Sequence, residues 1–346
     1  MPDPPAPSPH GSSRLATAAA LAALGAVTAI WQTLLGRAFL AAFGGHEAIL
    51  AVFLGSWLIL TGLGALLGRS GAPNPTARAL IVLGAGFGGA LAFVAARLIP
   101  AFFPPGAARG LGSALAASVV LLTPACLPAG IAFTWLSAGG RGAGGRAYLI
   151  ESLGSAATGA LLGVWLLGTA SAFDLAAAAT LVATAAALPG LTRGPGLAVA
   201  GGGLAAAAAL VLLPVGPWTL AASLPHASHP VERDSPHGSF VISSSPDQAT
   251  LWADRVALLS VSGTGAGSGP TDLAAAEEAG HVPLALHAAP RSVAVIGLPP
   301  PGTLTALRSH GAASLLQVED PALLSLASAL LPELGSVPSA TGDARA

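Results

Sequence analysis

The amino-acid sequence predicts a multi-pass α-helical membrane domain followed by a small β segment and a partial α/β domain. Three observations carry this reading. Of 346 residues, 53% are hydrophobic and only 8% charged, against about 25% charged in an average soluble domain, and mean hydropathy is +0.73. Apolar runs of membrane-spanning length recur through the first part of the chain. Charge is also divided: residues 1–215 hold nine arginines against Asp3, Glu47, Glu151 and Asp174, net +5, while the remainder holds five arginines against eleven acids, net −6. A break near Pro214 to Pro217 therefore separates a membrane part from a polar, mildly acidic part.

The first element, "MPDPPAPSPHGSSR" (1–14), is rich in proline and small polar residues and is expected to be a disordered tail. It lacks the early positive charge of a signal peptide, and the apolar segment behind Arg14 is longer than a typical signal core. A membrane domain of about seven helices then occupies 15–215. Its runs fall at roughly 15–36, 47–67, 79–99, 111–137, 147–168, 172–190 and 195–215, most reaching the ~20 residues a helix needs to cross the hydrocarbon. Backbone groups in lipid must be satisfied within the segment, so these are helices. The chain is thus expected in the lipid bilayer, as a multi-pass protein of the cell (inner) membrane.

Arg14, Arg69, Arg78, Arg141, Arg146 and Arg193 fall on one side of a seven-span arrangement, and Arg37, Arg97 and Arg109 on the other. Six against three favours a cytoplasmic N-terminus, but one helix more or fewer would move the C-terminal domain across the membrane, so orientation stays open. "GALLG" occurs at Gly64 to Gly68 and again at Gly159 to Gly163, spacing two glycines one turn apart so that a neighbouring helix can approach. Glu151 is the membrane candidate, since a carboxylate within a span is costly; the competing reading is an interfacial ion pair with Arg146. Five of the six tryptophans, Trp31, Trp57, Trp135, Trp165 and Trp218, read as interface anchors or packing.

Residues 216–270 read as a small antiparallel β segment, because "SFVISSSPDQATLWADRVALLSV" has short β-prone runs broken by "SPDQ" and "ADR". "GTGAGSGPT" follows as a flexible loop. His226, His229, Asp234 and His237 could hold a metal by residue type, but they lie in a proline-rich connector without recognised ligand spacing, and no metal site is assigned. Cys126 stands alone in an apolar run and can form neither an intrachain disulfide nor a cysteine cluster.

Residues 271–346 read as a partial nucleotide-binding α/β domain. "RSVAVIG" is a buried strand, "GTLTALRSH" a helix, "ASLLQVE" a second strand and "DPALLSLASALLPEL" a second helix, an order that implies parallel packing. Cut after two or three strands, such a sheet keeps an unpaired edge and an uncovered apolar face.

The run from Glu277 through His281, Pro283, His287 and Pro290 to the strand, the glycine turn and Glu319 resembles the polyamine aminopropyltransferases, the spermidine synthase family. "SPHGSFVI" and "DQATLWAD" look like the small β-domain of that family. "WQTLLGRAFLAAFGG", "LILTGLGALLGR" and "AYLIESLGSAATGALLG" look like the helices of its membrane-fused members. The resemblance implies a Rossmann-like, AdoMet-type fold that binds decarboxylated S-adenosylmethionine and transfers its aminopropyl group to a polyamine substrate. Carried over by position, Gly297 and Gly302 bracket the nucleotide turn, Glu319 accepts from ribose hydroxyls, Asp343 lies by the adenine, and Glu277 and His281 line the amine end.

This sequence departs from the family pattern. Pro299, Pro300 and Pro301 remove three N–H donors and fix φ near −65°, Pro300 replaces an expected carboxylate, and Ala275 and Ala276 replace a tyrosine and a histidine. The sequence ends at "GDARA", before the loop that in the family carries the proton-accepting acid, and general-base help is typically worth about 10²- to 10⁴-fold. No catalytic residue is therefore assigned. The expectation is an aminopropyltransferase-like membrane protein that is inactive or incomplete as given, with a second polypeptide as one means of completing it and no nucleic acid as partner. The alternative is a transporter-like or scaffold membrane protein whose α/β remnant is regulatory.

Overall fold

The computed structural model describes residues 9–71, 74–104, 109–138, 142–191, 193–224, 227–245, 248–262, 273–287, 289–311, 314–331, 334 and 339–341. Contacts divide the chain into Met1–Thr219 and Leu220–Ala346, four residues beyond the boundary read from composition.

Among the described residues, seven helices are long and apolar enough to cross a membrane. The first unit contains α1 (Pro9–Phe43), α2 (Glu47–Leu67), α3 (Pro75–Leu98), α4 (Leu111–Ser137), α5 (Ala143–Leu161), α6 (Leu167–Thr169), α7 (Ala172–Ala187) and α8 (Arg193–Leu212). A π-helical stretch, Leu162–Leu166, joins α5 to α6 within one span, Ala143–Thr169. All seven expected spans are present. Residues 9–14 of the expected tail belong instead to α1, which begins at Pro9, where proline suits a first helical turn that needs no N–H partner; residues 1–8 lie outside the described residues. Asn74 caps α3 by accepting from Ala77 N at 2.8 Å. Ser171 and Asp174 form a capping box on α7, so the first-turn acid Asp174 serves the helix end.

The bundle is held by close backbone approach and by a cluster of rings. α2 packs most extensively on α4, and α1 on α5. At the α2–α4 crossing, a Cβ added to Gly64 would overlap Leu127 O and one added to Gly130 would overlap Thr61 O, so glycine is required on both helices. The gap is sealed by Ser56 Oγ to Ser118 Oγ at 3.0 Å and by Trp135 Nε1 donating to Gly68 O at 3.0 Å. The first "GALLG" therefore does pack. At Gly159 and Gly163 in the second, an added Cβ would meet nothing within 4 Å. Trp31, Phe39, Phe53, Trp57 and Phe93 are buried in one core with Phe173 against it; Phe39 and Phe53 lie 5.4 Å apart and Phe93 and Phe173 5.3 Å apart. Trp31 and Trp57 are thus packing residues, whereas Trp165 and Trp218 are exposed.

The boundary between the units falls within α9 (Val215–Ser223), a helix at the start of the segment read as β. Four antiparallel strands, β1 (Ser228–Asp234), β2 (Ser239–Ser244), β3 (Gln248–Ala253) and β4 (Val256–Ser262), form a meander in chain order. The sequence reading has the last three and lacks β1, which lies in the proline-rich connector. Asp254 and Arg255 turn the chain between β3 and β4 with φ 46° and 65°, the both-positive pattern of a type I′ hairpin. Asp254 Oδ1 pins that turn by accepting from Ser239 N at 3.0 Å.

α10 (Leu273–Ala285) then leads to β5 (Ser292–Ile296), α11 (Thr303–Ser309), β6 (Ser314–Glu319), α12 (Pro321–Leu330) and β7 (Ser339–Thr341). The strands pair in parallel in the order β5-β6-β7, with Val295 opposite Gln317 and Gln317 opposite Ser339. Leu304, Leu307, Leu323, Leu326 and Ala327 from the helices share a core with Phe240, Leu251 and Leu259, and Val293, Val295 and Leu315 pack against it. The alternate residues point away: Ile296 is 68% and Leu316 38% exposed. Among the described residues, Ile296 and Leu316 on this face are therefore left uncovered. The loop "GTGAGSGPT" lies outside the described residues.

Candidate functional site

The candidate site forms where β5 and β6 end. Gly297, directly after β5, has φ +93°, and Gly302, which caps α11, has φ +89°. Both conformations are left-handed and favour glycine. Between them the chain carries three prolines, and Thr303 N donates to Pro300 O at 3.1 Å. Gly297 N donates to Val318 O at 3.1 Å, so the N–H groups of Gly297 and Thr303 are spent internally and the prolines have none to offer.

The Glu319 carboxylate stands across from this turn. A Cβ on Gly297 would lie 3.8 Å from Glu319 Oε2, while Oε1 accepts from Asp320 N at 2.8 Å. Oε2 has no hydrogen-bond partner among the described residues. Asp320 is the N-cap of α12, its Oδ1 accepting from Ala322 N at 2.8 Å and Leu323 N at 3.4 Å. The two adjacent acids thus divide their work: Asp320 serves the helix, and Glu319 faces the turn.

Gln317 was not legible as a site residue. It is 1% exposed, its Nε2 donates to Gly297 O at 3.2 Å, and its Oε1 meets no partner among the described residues. The same holds for Thr303 Oγ1 and Asp320 Oδ2. The available signal was a lone amide inside the apolar strand "SLLQVE", since buried polar groups are normally paired.

Gly297, Gly302 and Glu319 are therefore brought to one strand end, but Glu277 and His281 do not join them by any described hydrogen bond. On α10, Ala276 is buried and Gly280 abuts Ala306 of α11. Glu277 is one residue on from Ala276, about 100° around the helix, and is exposed. That rotation carries the Glu277 side chain off the face that packs on α11. His281 Nδ1 and His310 Nε2 are 2.7 Å apart, with ring centroids at 4.9 Å. The His281 ring is committed to bracing α10 against α11, a pairing with His310 that sequence order alone does not reveal. His287 Nδ1 accepts from Ala289 N at 3.2 Å as a loop residue. Asp343 and His226 lie outside the described residues.

Glu151 lies on the α1–α5 contact. A Cβ on Gly25 would overlap Glu151 O, and one on Gly154 would overlap Ala22 O. Ser155 Oγ is 3.0 Å from Gly25 O and 3.2 Å from Glu151 Oε1, so its one proton has two acceptors to choose between. The expected ion pair with Arg146 is absent among the described residues. Five residues along a helix place the two side chains about 140° apart around its axis, which accounts for this. Among the described residues, no three of His, Cys, Asp and Glu lie close enough to share a metal ion.

No family model, curated protein or solved structure matches the chain.

Proposed function

We propose that this is a multi-pass membrane protein carrying a spermidine synthase-like, Rossmann-like domain that does not itself catalyse aminopropyl transfer. One observation carries the reading: the Glu319 carboxylate faces left-handed Gly297 at the ends of two adjacent parallel strands. An acid after the second strand, opposite the glycine turn after the first, is the placement that meets the sugar edge of a nucleotide in folds of this kind. The lack of activity follows from the same turn. Pro299, Pro300 and Pro301 supply neither N–H donors nor a carboxylate for the cationic end of decarboxylated S-adenosylmethionine, and Ala275 and Ala276 leave two positions at the amine end without polar side chains.

Calorimetry on the purified full chain tests this. Titration with decarboxylated S-adenosylmethionine is expected to give no binding heat, and no aminopropyl transfer to putrescine should follow. Micromolar binding, or transfer, would overturn the assignment of an inactive turn.

A further inference from the structure

We infer that a cavity at the arginine-rich end of the helical bundle binds a small amphiphile whose head is an anionic oxygen group, phosphate or carboxylate, held by Arg78. The cavity is a cleft about half open to the outside, with a volume of about 260 Å³, and lies between the early turns of α1 and α3 and the last turns of α4 and α7. Its wall is apolar, with Ala16, Val82, Leu136, Ala187 and Pro189 among the lining residues. Thr17 and Arg78 alone bring polar side chains to the described lining.

Arg78 is the unusual member. Its Nε is buried and has no hydrogen-bond partner, and its side chain makes no ion pair among the described residues. Arginine stays charged in proteins and presents its donors in a planar fork that matches carboxylate and phosphate. Arg78 as a whole is half-buried, but its Nε is a buried, unmatched donor, which is costly in free energy, and an anion bound by the guanidinium reduces that cost. Position adds to the demand. Arg78 follows Asn74, the N-cap of α3, so its charge adds to the positive end of the helix dipole instead of offsetting it. No described acid counters it at this end: Glu47 and Asp174 lie in the first turns of α2 and α7, at the far end of an alternating bundle, and Glu151 is two turns inside α5.

Size and lining define the ligand. A volume of about 260 Å³ exceeds what a bare anion fills, since a water takes about 30 Å³, and it leaves room for a head group and a few methylenes against the apolar wall. Two sources share that chemistry. One is the head and upper chain of an anionic lipid, which is abundant in the leaflet that faces an arginine-rich end. The other is a water-soluble organic phosphate or carboxylate.

The test uses the full chain in nanodiscs of phosphatidylcholine, with hexyl phosphate as probe and thermal unfolding as readout. Hexyl phosphate should raise the unfolding temperature of the wild type. Arg78→Gln should weaken its apparent affinity about tenfold or more, Arg78→Lys by less, and Arg69→Gln, exposed at the same end, should change nothing. Nanodiscs containing phosphatidylglycerol separate the sources. Abolition of the hexyl phosphate response there identifies a lipid as occupant, and a response that persists identifies a soluble anion. No response in wild type, or equal responses in wild type and Arg78→Gln, overturns the proposal. Should Arg78→Gln fail to fold, the comparison of wild type with Arg78→Lys and Arg69→Gln decides: equal affinity in all three overturns it.

Discussion

Replacing Gln317 with leucine should stabilise the α/β unit even though it deletes a hydrogen bond. Gln317 is 1% exposed and gains one bond, from Nε2 to Gly297 O at 3.2 Å, while its Oε1 is buried without a described partner. A neutral hydrogen bond contributes about 1 kcal/mol net, whereas an unmatched buried polar atom costs about 1–3 kcal/mol. Leucine of similar size removes both and meets the apolar core formed by Leu304, Leu307 and Leu323. The balance is a stabilisation of about 1 kcal/mol, or about fivefold in the local opening equilibrium. Hydrogen exchange on the detergent-solubilised full chain reads this at β5, β6 and the Gly297 amide, which is bonded to Val318 O. Gln317→Glu provides the contrast, because a carboxylate there would be buried without a described donor. If Gln317→Leu instead speeds exchange by a factor corresponding to about 2 kcal/mol, Oε1 is satisfied in the folded protein and the account of this position is wrong.

Two further expectations test the elements around the site and the bundle. Asp320→Ala should destabilise α12 by about 1 kcal/mol, speeding exchange at Ala322 and Leu323, while Asp320→Asn keeps the cap and stays near wild type; equal behaviour of the two would show that the cap contributes nothing. Gly130→Leu drives a side chain into Thr61 O and the Gly64 backbone, forcing α2 and α4 apart at a cost of about 1–3 kcal/mol or more. A denaturation midpoint matching wild type would refute the close crossing.

What could be read from the sequence depended on how local its cause was. The seven spans were legible because length and hydropathy alone decide whether a segment suits hydrocarbon, and β5, α11, β6 and α12 because short apolar runs bounded by glycine, acid and proline mark them. β1 was missed because "SHPVERD" carries a proline and three charges, and its strand character comes from pairing with β2. α10 was missed because Pro283 sits inside it, a residue that argues against a helix locally. The early start of α1 was hidden by a composition that suits a tail. The pairing of His281 with His310 and the inward turn of Gln317 depend on how α10 and β6 pack, which residue order does not specify. The exposure of Glu277 depends on the same packing, since a motif position fixes identity and spacing but not which side of a helix is covered.

The π-helical stretch at Leu162–Leu166 bears on how this chain tolerates changes of length. A π turn closes its hydrogen bonds one residue further along than an α turn, so it houses one residue more than the surrounding helix requires. In α5 only Ala147 is buried, yet Leu162, the first residue of the π stretch, is 1% exposed and enters the main core. The extra residue is taken up within this stretch, and Leu166 and Leu167 at its end pack against the same core. Gly154 and Ser155, which hold α5 against α1, lie before it and keep their register whether or not it is present. Among descendants of this gene, a single-codon deletion between 162 and 166 is thus the length change the bundle can absorb with least loss, whereas the same deletion near Gly154 would rotate every later residue of the span off its contact.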